Sequence, residues 1–422
     1  MYKAKEWLLL GLIFSGALIG YMDRAVFGVL APMIQQDLDL DPAELGLALS
    51  FFSIGYTLFT VVGGWLTDRF GPRRVLGVAM LIWSVFCALT GAVNSLLALL
   101  GVRFVFGVGE APFTPATSKM TYSWFGSRRY AGAYGLASAG QPLGGAVAGP
   151  IVGVIAVAAG WRAAFVAVGA IGLVWLVAWM LLARDRPQEP EVDADAPPAP
   201  VARSTINPGQ TLWGSIAHPA VVASAAGFFA YGYLLYFFLS WFPSYLSKSL
   251  HMDLAHMSLA TAAPWGAGAL GLVAGGYLSD MLSRLLKNEI LARKLMIVGG
   301  LAVAAVCVAL APQFRTPFSA LTLMGAAIFF MYLTAASYTA LAVATTPERH
   351  IGSVAGYLVF VANVAGISAP IITGVIIKST GDFNAAFLLA GAIVVSGAVA
   401  VALLASFPGR RRAVAAVPPT GV

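Results

Sequence analysis

Twelve mostly apolar stretches run along the chain, at residues 7–30, 45–67, 74–95, 97–119, 131–157, 162–183, 217–246, 257–281, 294–312, 318–345, 352–377 and 384–407. A helix needs about 20 such residues to cross the hydrocarbon of a bilayer. The pattern therefore predicts an all-α integral membrane protein of twelve transmembrane helices. The first stretch follows Lys3 and Lys5 in the manner of a secretory signal, but it continues to Asp23 and Arg24 with no small-residue cleavage site. It is read as a retained span. Residues 184–215 break the rhythm, because Arg184, Asp185, Arg186, Glu189, Glu191, Asp193, Asp195 and Arg203 sit there among Pro187, Pro190, Pro197, Pro198 and Pro200. Such a segment reads as a solvated linker. It divides the chain into an N-terminal six-helix half (1–183), a cytoplasmic linker (184–215), a C-terminal six-helix half (216–409) and a cytoplasmic tail (410–422).

Composition agrees with the pattern. Hydrophobic residues are 59% of the 422 and charged residues 10%, with a mean hydropathy of +0.84, whereas soluble domains run at about 45–50% apolar and about 25% charged. Soluble, secreted, disordered and nucleic-acid-binding classes are excluded on that ground. The two cysteines, Cys87 and Cys307, both lie in apolar runs and offer neither a disulfide framework nor a thiolate metal site.

The net charge of +7 is explained by where Lys and Arg fall. With the N-terminus in the cytoplasm, nineteen of the 25 basic residues lie at inner ends and loops, and only Arg162, Lys248, Arg315 and Lys378 lie outside. That asymmetry places both termini in the cytoplasm. The remaining two, Arg24 and Arg103, are inside spans.

The two halves echo one another. Gly63-Gly64-Trp65-Leu66-Thr67-Asp68 closes the second span, and Gly275-Gly276-Tyr277-Leu278-Ser279-Asp280 closes the eighth. Gly149-Pro150-Ile151-Val152-Gly153 is matched by Ala369-Pro370-Ile371-Ile372-Thr373-Gly374, and Ala163-Ala164-Phe165 by Ala385-Ala386-Phe387. A six-plus-six duplication around a central site is a transporter architecture.

The run Gly64-Trp65-Leu66-Thr67-Asp68-Arg69-Phe70-Gly71-Pro72-Arg73-Arg74 resembles the loop motif between the second and third helices of the major facilitator superfamily. Its glycines, Gly64 and Gly71, suit close helix approach, while Asp68 with Arg69, Arg73 and Arg74 suits a charge lock that sets conformation. Gly140-Gln141-Pro142-Leu143-Gly144-Gly145 and Gly149-Pro150 resemble the same superfamily's glycine-proline helix. Within it, Tyr21-Met22-Asp23-Arg24, Arg103-Phe104-Val105-Phe106-Gly107-Val108-Gly109-Glu110-Ala111 and Tyr236-Phe237-Phe238-Leu239-Ser240-Trp241-Phe242-Pro243 are similar to the anion:cation symporter family. The similarity is greatest to bacterial sugar-acid carriers of the galactonate and hexuronate type. It implies the twelve-helix fold, proton-coupled import of a small organic anion by alternating access, and a bacterial inner-membrane location.

The charges inside the spans point the same way. Each costs at least ~2.5–3.5 kcal/mol on insertion scales, so each is a functional hypothesis. Asp23 and Arg24 lie in the first span, Arg103 and Glu110 in the fourth. With no histidine deep in a span, Asp23 and Glu110 are the candidate proton carriers. Arg103 and Glu110 stand two turns apart, roughly 10.5 Å along one helix. Pairing between helices is therefore expected, Arg24 with Glu110 and Arg103 with Asp23. A substrate carboxylate that takes Arg24 would strip Glu110 of its partner and favour its protonation, which couples anion to proton.

The resemblance further assigns substrate contacts to Tyr56, Gln141 and Asn363, while Tyr231, Tyr233 and Tyr236 form an aromatic cluster in the seventh span, with Tyr231 taken as a further contact. Ala340-Leu341-Ala342-Val343-Ala344 in the tenth span is apolar, so the expected substrate is a sugar acid or an aromatic or other, less hydroxylated monocarboxylate. No metal and no cofactor beyond the coupling proton is expected, and the expected working unit is a monomer in the lipid bilayer. A drug or organic-anion exporter and a non-transporting receptor remain as alternatives. A membrane enzyme does not, because the chain has no ligand cluster, nucleophile with a base, or phosphate-binding glycine loop.

Overall fold

The computed structural model describes residues 4–185, 210–314, 316–347 and 350–405. The N-terminal half comprises α1 (Ala4–Asp37), α2 (Pro42–Phe70), α3 (Pro72–Thr90), α4 (Leu96–Glu110), α5 (Phe113–Ser138) and α6 (Gly140–Leu182). The C-terminal half comprises α7 (Leu212–Ile216), α8 (Pro219–Lys248), α9 (Leu254–Ala260), α10 (Ala262–Leu286), α11 (Glu289–Leu310), α12 (Pro317–Leu333), α13 (Ala335–Val343), α14 (Ile351–Thr380) and α15 (Asn384–Leu404).

Eleven stretches among the described residues are long and apolar enough to cross a membrane. One of them, Ala133–Leu182, has 50 residues, about 75 Å of helix against a hydrocarbon core of ~30 Å. It turns back at Gly160, whose φ of 84° is open to glycine at no steric cost, and so supplies two crossings. The total is twelve, and an even number returns both ends to one face.

Local chemistry sets the helix ends. Asp41 closes a capping box at the start of α2, its carboxylate accepting from the Ala43 and Glu44 amides while Glu44 accepts from the Asp41 amide. Gly71, at φ 84°, and then Pro72 separate α2 from α3. Several helices, α1 and α2 among them, overrun the expected spans, because hydropathy marks only the lipid-facing window and polar ends stay helical beyond it. The first helix thus starts at Ala4 rather than Trp7, and Glu6 is buried with it. By contrast, α3 and α15 stop short, and the expected spans 97–119, 131–157, 257–281 and 318–345 are each carried by two helices. The expected linker is also shorter at its far end, where Thr211 caps α7 through the Gly214 amide. Residues 186–209 and the tail from 406 lie outside the described residues.

The halves meet where α2 packs on α14, α1 on α8, and α6 on α9 and α10. A Cβ placed at Gly46 would collide with the Pro370 carbonyl, and one at Gly374 with the Pro42 carbonyl. Glycine is therefore what lets α2 and α14 touch backbone to backbone. Ser50 Oγ donates to the Ile367 carbonyl at 2.9 Å and Lys378 Nζ to Asp41 Oδ2 at 2.7 Å, while Lys248 Nζ reaches Gln35. These contacts all lie at the end of the bundle away from the termini, and the molecule is shut there.

The Lys378 hydrogen bond, with help from the Glu44 and Ala43 amides, holds the Asp41 carboxyl below its ordinary value. The latch is thus at full strength above the ordinary Asp range near ~3.9 and is lost only as pH falls through the depressed value. Because the pair is exposed, salt screens it.

Gly46→Val should prop this end open. Asp41→Asn keeps the cap but loses the charge, so it should lower the closed-to-open ratio only about 1.5- to 5-fold, the equivalent of ~0.2–1 kcal/mol. Spin-label distances between the α1–α2 and α14–α15 turns read both, and an unchanged distribution in Gly46→Val would show that this contact does not govern closure.

Candidate functional site

A cavity of about 270 Å³ lies between the halves, just on the terminus side of these contacts. Arg24, Tyr56, Glu110, Thr114 and Gln141 line it from the N-terminal half, and Tyr231, Tyr236 and Asn363 from the other. Arg24, Tyr56, Gln141, Tyr231 and Asn363, the five contacts expected from sequence, thus share one space. Its volume is just below the ~300 Å³ at which small-molecule sites begin.

Glu110 reaches the cavity because of how α4 packs and where it stops. A Cβ at Gly107 would strike the Phe52 carbonyl, and one at Gly109 would lie 2.8 Å from the Trp83 amide. These two glycines seat α4 against α2 and α3. The helix then ends at Glu110, since Pro112 has no N–H to offer the preceding turn, and α5 restarts at Phe113 with Thr114 facing the cavity.

Arg24 Nε donates to Glu110 Oε1 at 2.8 Å and Nη2 lies 2.6 Å from the same oxygen. Glu110 Oε2 is buried with no hydrogen-bond partner. The Arg24 guanidinium also lies over the rings of Tyr56 (4.5 Å), Phe52 (5.2 Å) and Tyr21 (5.3 Å), an arrangement worth up to ~2 kcal/mol or more per contact once desolvated. Tyr56 Oη and Thr114 Oγ1 are 3.2 Å apart. Across the cavity, Tyr236 Oη donates to Asn363 Oδ1 at 3.1 Å and Asn363 Nδ2 donates to the Val359 carbonyl at 2.9 Å.

The second expected pair is not formed. Asp23 is 1% exposed and accepts from Trp83 Nε1 at 2.8 Å, with Cys87 Sγ 4.0 Å from its other oxygen. Arg103 is 2% exposed, and its Nε and Nη1 have no hydrogen-bond partner. It is held instead by the rings of Phe27 (4.6 Å), Phe52 (5.0 Å) and Phe106 (5.3 Å). The reason is helical geometry: Asp23 is one residue, about 100°, round α1 from Arg24. With Arg24 turned to α4 and the cavity, Asp23 faces α3.

The lock motif is also wired differently from expectation. Asp68 pairs with Lys119 at 2.7 Å, not with Arg69, Arg73 or Arg74. Arg69 lies over Trp65 and Phe70, and Arg74 is exposed. The Arg73 amide donates to Asp185 Oδ1 at 2.7 Å, its side chain reaches the Met180 carbonyl, and Trp179 Nε1 donates to the Arg73 carbonyl at 3.0 Å. Close approach belongs to Gly63, where a Cβ would come 2.7 Å from Pro112 Cα, whereas at Gly64 the nearest atom is 3.8 Å away. Gly71 supplies the turn. Neither Lys119 nor Asp185 was evident from sequence, since Lys119 meets the motif from α5 and Asp185 from the segment just past the end of α6.

A thermal-melting cycle tests this wiring. Asp68→Asn and Lys119→Gln should show a coupling of ~0.2–1 kcal/mol, as for a surface pair, while Asp68→Asn and Arg73→Gln should be additive. Coupling of Asp68 to Arg73 instead would restore the arginine lock.

Comparison with known proteins agrees with this architecture. Residues 13–370 match the family model described as Major Facilitator Superfamily. The chain is 39% identical over 393 residues to the hexuronate transporter of Bacillus subtilis, covering 92% of each chain. It is 33% identical to a probable sulfoacetate transporter of Cupriavidus necator, over 93% of this chain and 92% of that one. To a probable L-galactonate transporter of Escherichia coli it is 30% identical, over 94% and 88%. Its fold matches a bacterial homolog of the human lysosomal transporter Spinster, in an inward-facing and occupied conformation, with a TM-score of 0.74 at 20% identity over 96% of both chains. The chain belongs to the major facilitator superfamily, as a membrane transporter and not an enzyme.

Proposed function

We propose that the protein is a proton-coupled symporter that imports a small sugar-acid-type anion across a bacterial inner membrane by alternating access, with both termini in the cytoplasm. The observation that carries the reading is the Arg24–Glu110 pair at the cavity wall, with Glu110 Oε2 left unpartnered. A guanidinium offers a carboxylate two parallel donors. When a substrate carboxylate takes Arg24, Glu110 carries an uncompensated charge in a region where that costs at least ~2.5–3.5 kcal/mol. Taking up a proton removes the cost, so anion and proton load together.

The names of the relatives, hexuronate and galactonate transporters among them, support the substrate class. So does the ring of neutral hydroxyl and amide groups, Tyr56, Thr114, Gln141, Tyr231, Tyr236 and Asn363, which suits a polyhydroxylated anion. The excess of Lys and Arg at inner loops supports the orientation. The outward-to-inward proton gradient of such a membrane drives import.

Arg24→Ala should weaken binding of D-galacturonate by ~30-fold or more, since truncating one member of a buried charged pair costs ~2–5 kcal/mol. Arg24→Lys should recover little of this, because a point charge does not replace the planar fork. Calorimetry on the detergent-purified protein measures it, and unchanged affinity in the alanine variant would remove Arg24 from the substrate grip.

Glu110→Gln imitates the protonated acid. It should lose accumulation driven by an imposed pH gradient in proteoliposomes yet keep counterflow exchange, which needs no net proton release. Asp23→Asn should lose accumulation too. Gradient-driven accumulation at full rate by both variants would exclude proton symport through these acids.

A further inference from the structure

We infer that the cavity selects by charge number, admitting monoanionic sugar acids and rejecting dianionic ones, and that Phe52 is the residue that sets this limit. The inference rests on the proposed sugar-acid reading and deepens it. Two guanidinium groups lie close to the cavity, and only one of them faces it. Arg24 lines the wall. Arg103 is 2% exposed, is absent from the cavity lining among the described residues, and is enclosed by Phe27, Phe52 and Phe106. The Phe52 ring touches both arginines, at 5.2 Å from Arg24 and 5.0 Å from Arg103, and is itself 3% exposed.

Charge arithmetic then decides the ligand. Among the described residues that line the cavity, Arg24 is the sole cation and Glu110 the sole anion. With Glu110 protonated, a monoanion cancels Arg24 and the loaded site is neutral. A dianion leaves one carboxylate uncompensated against the far wall, where Phe228, Tyr231, Gly232, Leu235, Tyr236 and Asn363 supply rings, hydroxyls and one amide but no positive charge. Removing that carboxylate from water without a cation is the expensive step. Arg103 could supply the missing charge, but three rings satisfy it by cation–π contact and keep it from the cavity.

Two open-chain probes isolate the effect, because D-galactonate and galactarate share their hydroxylated carbons and differ by one terminal carboxylate. D-galacturonate, a cyclic monoanion, serves as a third. Binding to the full-length purified protein is measured by calorimetry at pH 7. In the wild type at least one of the two monoanions should bind ~30-fold or more tightly than galactarate. Phe52→Ala opens a path from Arg103 to the cavity and should narrow that ratio to below ~5-fold, mainly by gaining affinity for galactarate. Phe52→Leu fills the space without a π face and serves where the alanine variant is unstable; it should narrow the ratio as well, whereas Phe52→Tyr should keep the wild-type ratio.

Equal binding of galactarate and the monoanions by the wild type would overturn charge selection while leaving the sugar-acid reading intact. A wild-type ratio preserved in both Phe52→Ala and Phe52→Leu would overturn the role of Phe52. Binding of none of the three probes would overturn the sugar-acid reading and this inference with it.

Discussion

A charged side chain in hydrocarbon needs an opposite charge, a hydrogen-bond donor or ring faces beside it, and the Arg24–Glu110 pair is where this molecule meets that requirement next to open space. Everything around the pair serves to hold it. Gly107 and Gly109 bring α4 against α2 and α3, and Pro112 stops α4 at Glu110. A Cβ at Gly20 would already lie 3.3 Å from Glu110 Oε1, so the first helix is small where the carboxylate must pass. Tyr56, Phe52 and Tyr21 supply ring faces to the guanidinium. The pair is strong enough to persist and leaves one carboxylate oxygen without a partner. Under the proposed mechanism, a substrate carboxylate competes for Arg24 without first dismantling a saturated network.

The same constraint accounts for Arg103 in another way. Buried with Nε and Nη1 unpartnered, it would be a liability if three phenylalanine rings did not surround it. Asp23, equally buried, is satisfied by the Trp83 indole. The two charges lie in one packed region without an ion pair between them within 4 Å among the described residues. Phe52 belongs to the surroundings of both arginines, so a change at this apolar position reaches both.

Closure at one end gives these charges a direction. The helices meet away from the termini, through the glycine contacts of α2 and α14 and the latch from Asp41 to Lys378. On α1 and α8 the backbones meet at Gly28, where a Cβ would collide with the Leu239 carbonyl, and on α1, α8 and α14 the cavity residues Arg24, Tyr236 and Asn363 come before Gly28, Leu239 and Ile367 in chain order. Reaching the cavity from the sealed side requires those backbones to part. Under the proposed alternating access this parting is a switch between two packed arrangements, because packed interfaces are bistable and not continuously deformable.

Hydropathy alone determined the number of crossings, and the repeat of short motifs half a chain apart determined the two-half architecture. Both follow from the bilayer, which demands about 20 apolar residues per helix whatever the neighbours are. Isolated charges in apolar runs marked Asp23, Arg24, Arg103 and Glu110, since such residues are too costly to be incidental. Of the partners, only Arg24 with Glu110 was legible, and that pair forms; the others were not. Asp23 took Trp83, Arg103 took phenylalanine rings, and Asp68 took Lys119 in place of the arginines beside it. Partners are set by the rotation of each helix about its axis and by its depth against its neighbours. Those quantities depend on side-chain packing across several helices at once, and only the tertiary structure decides them.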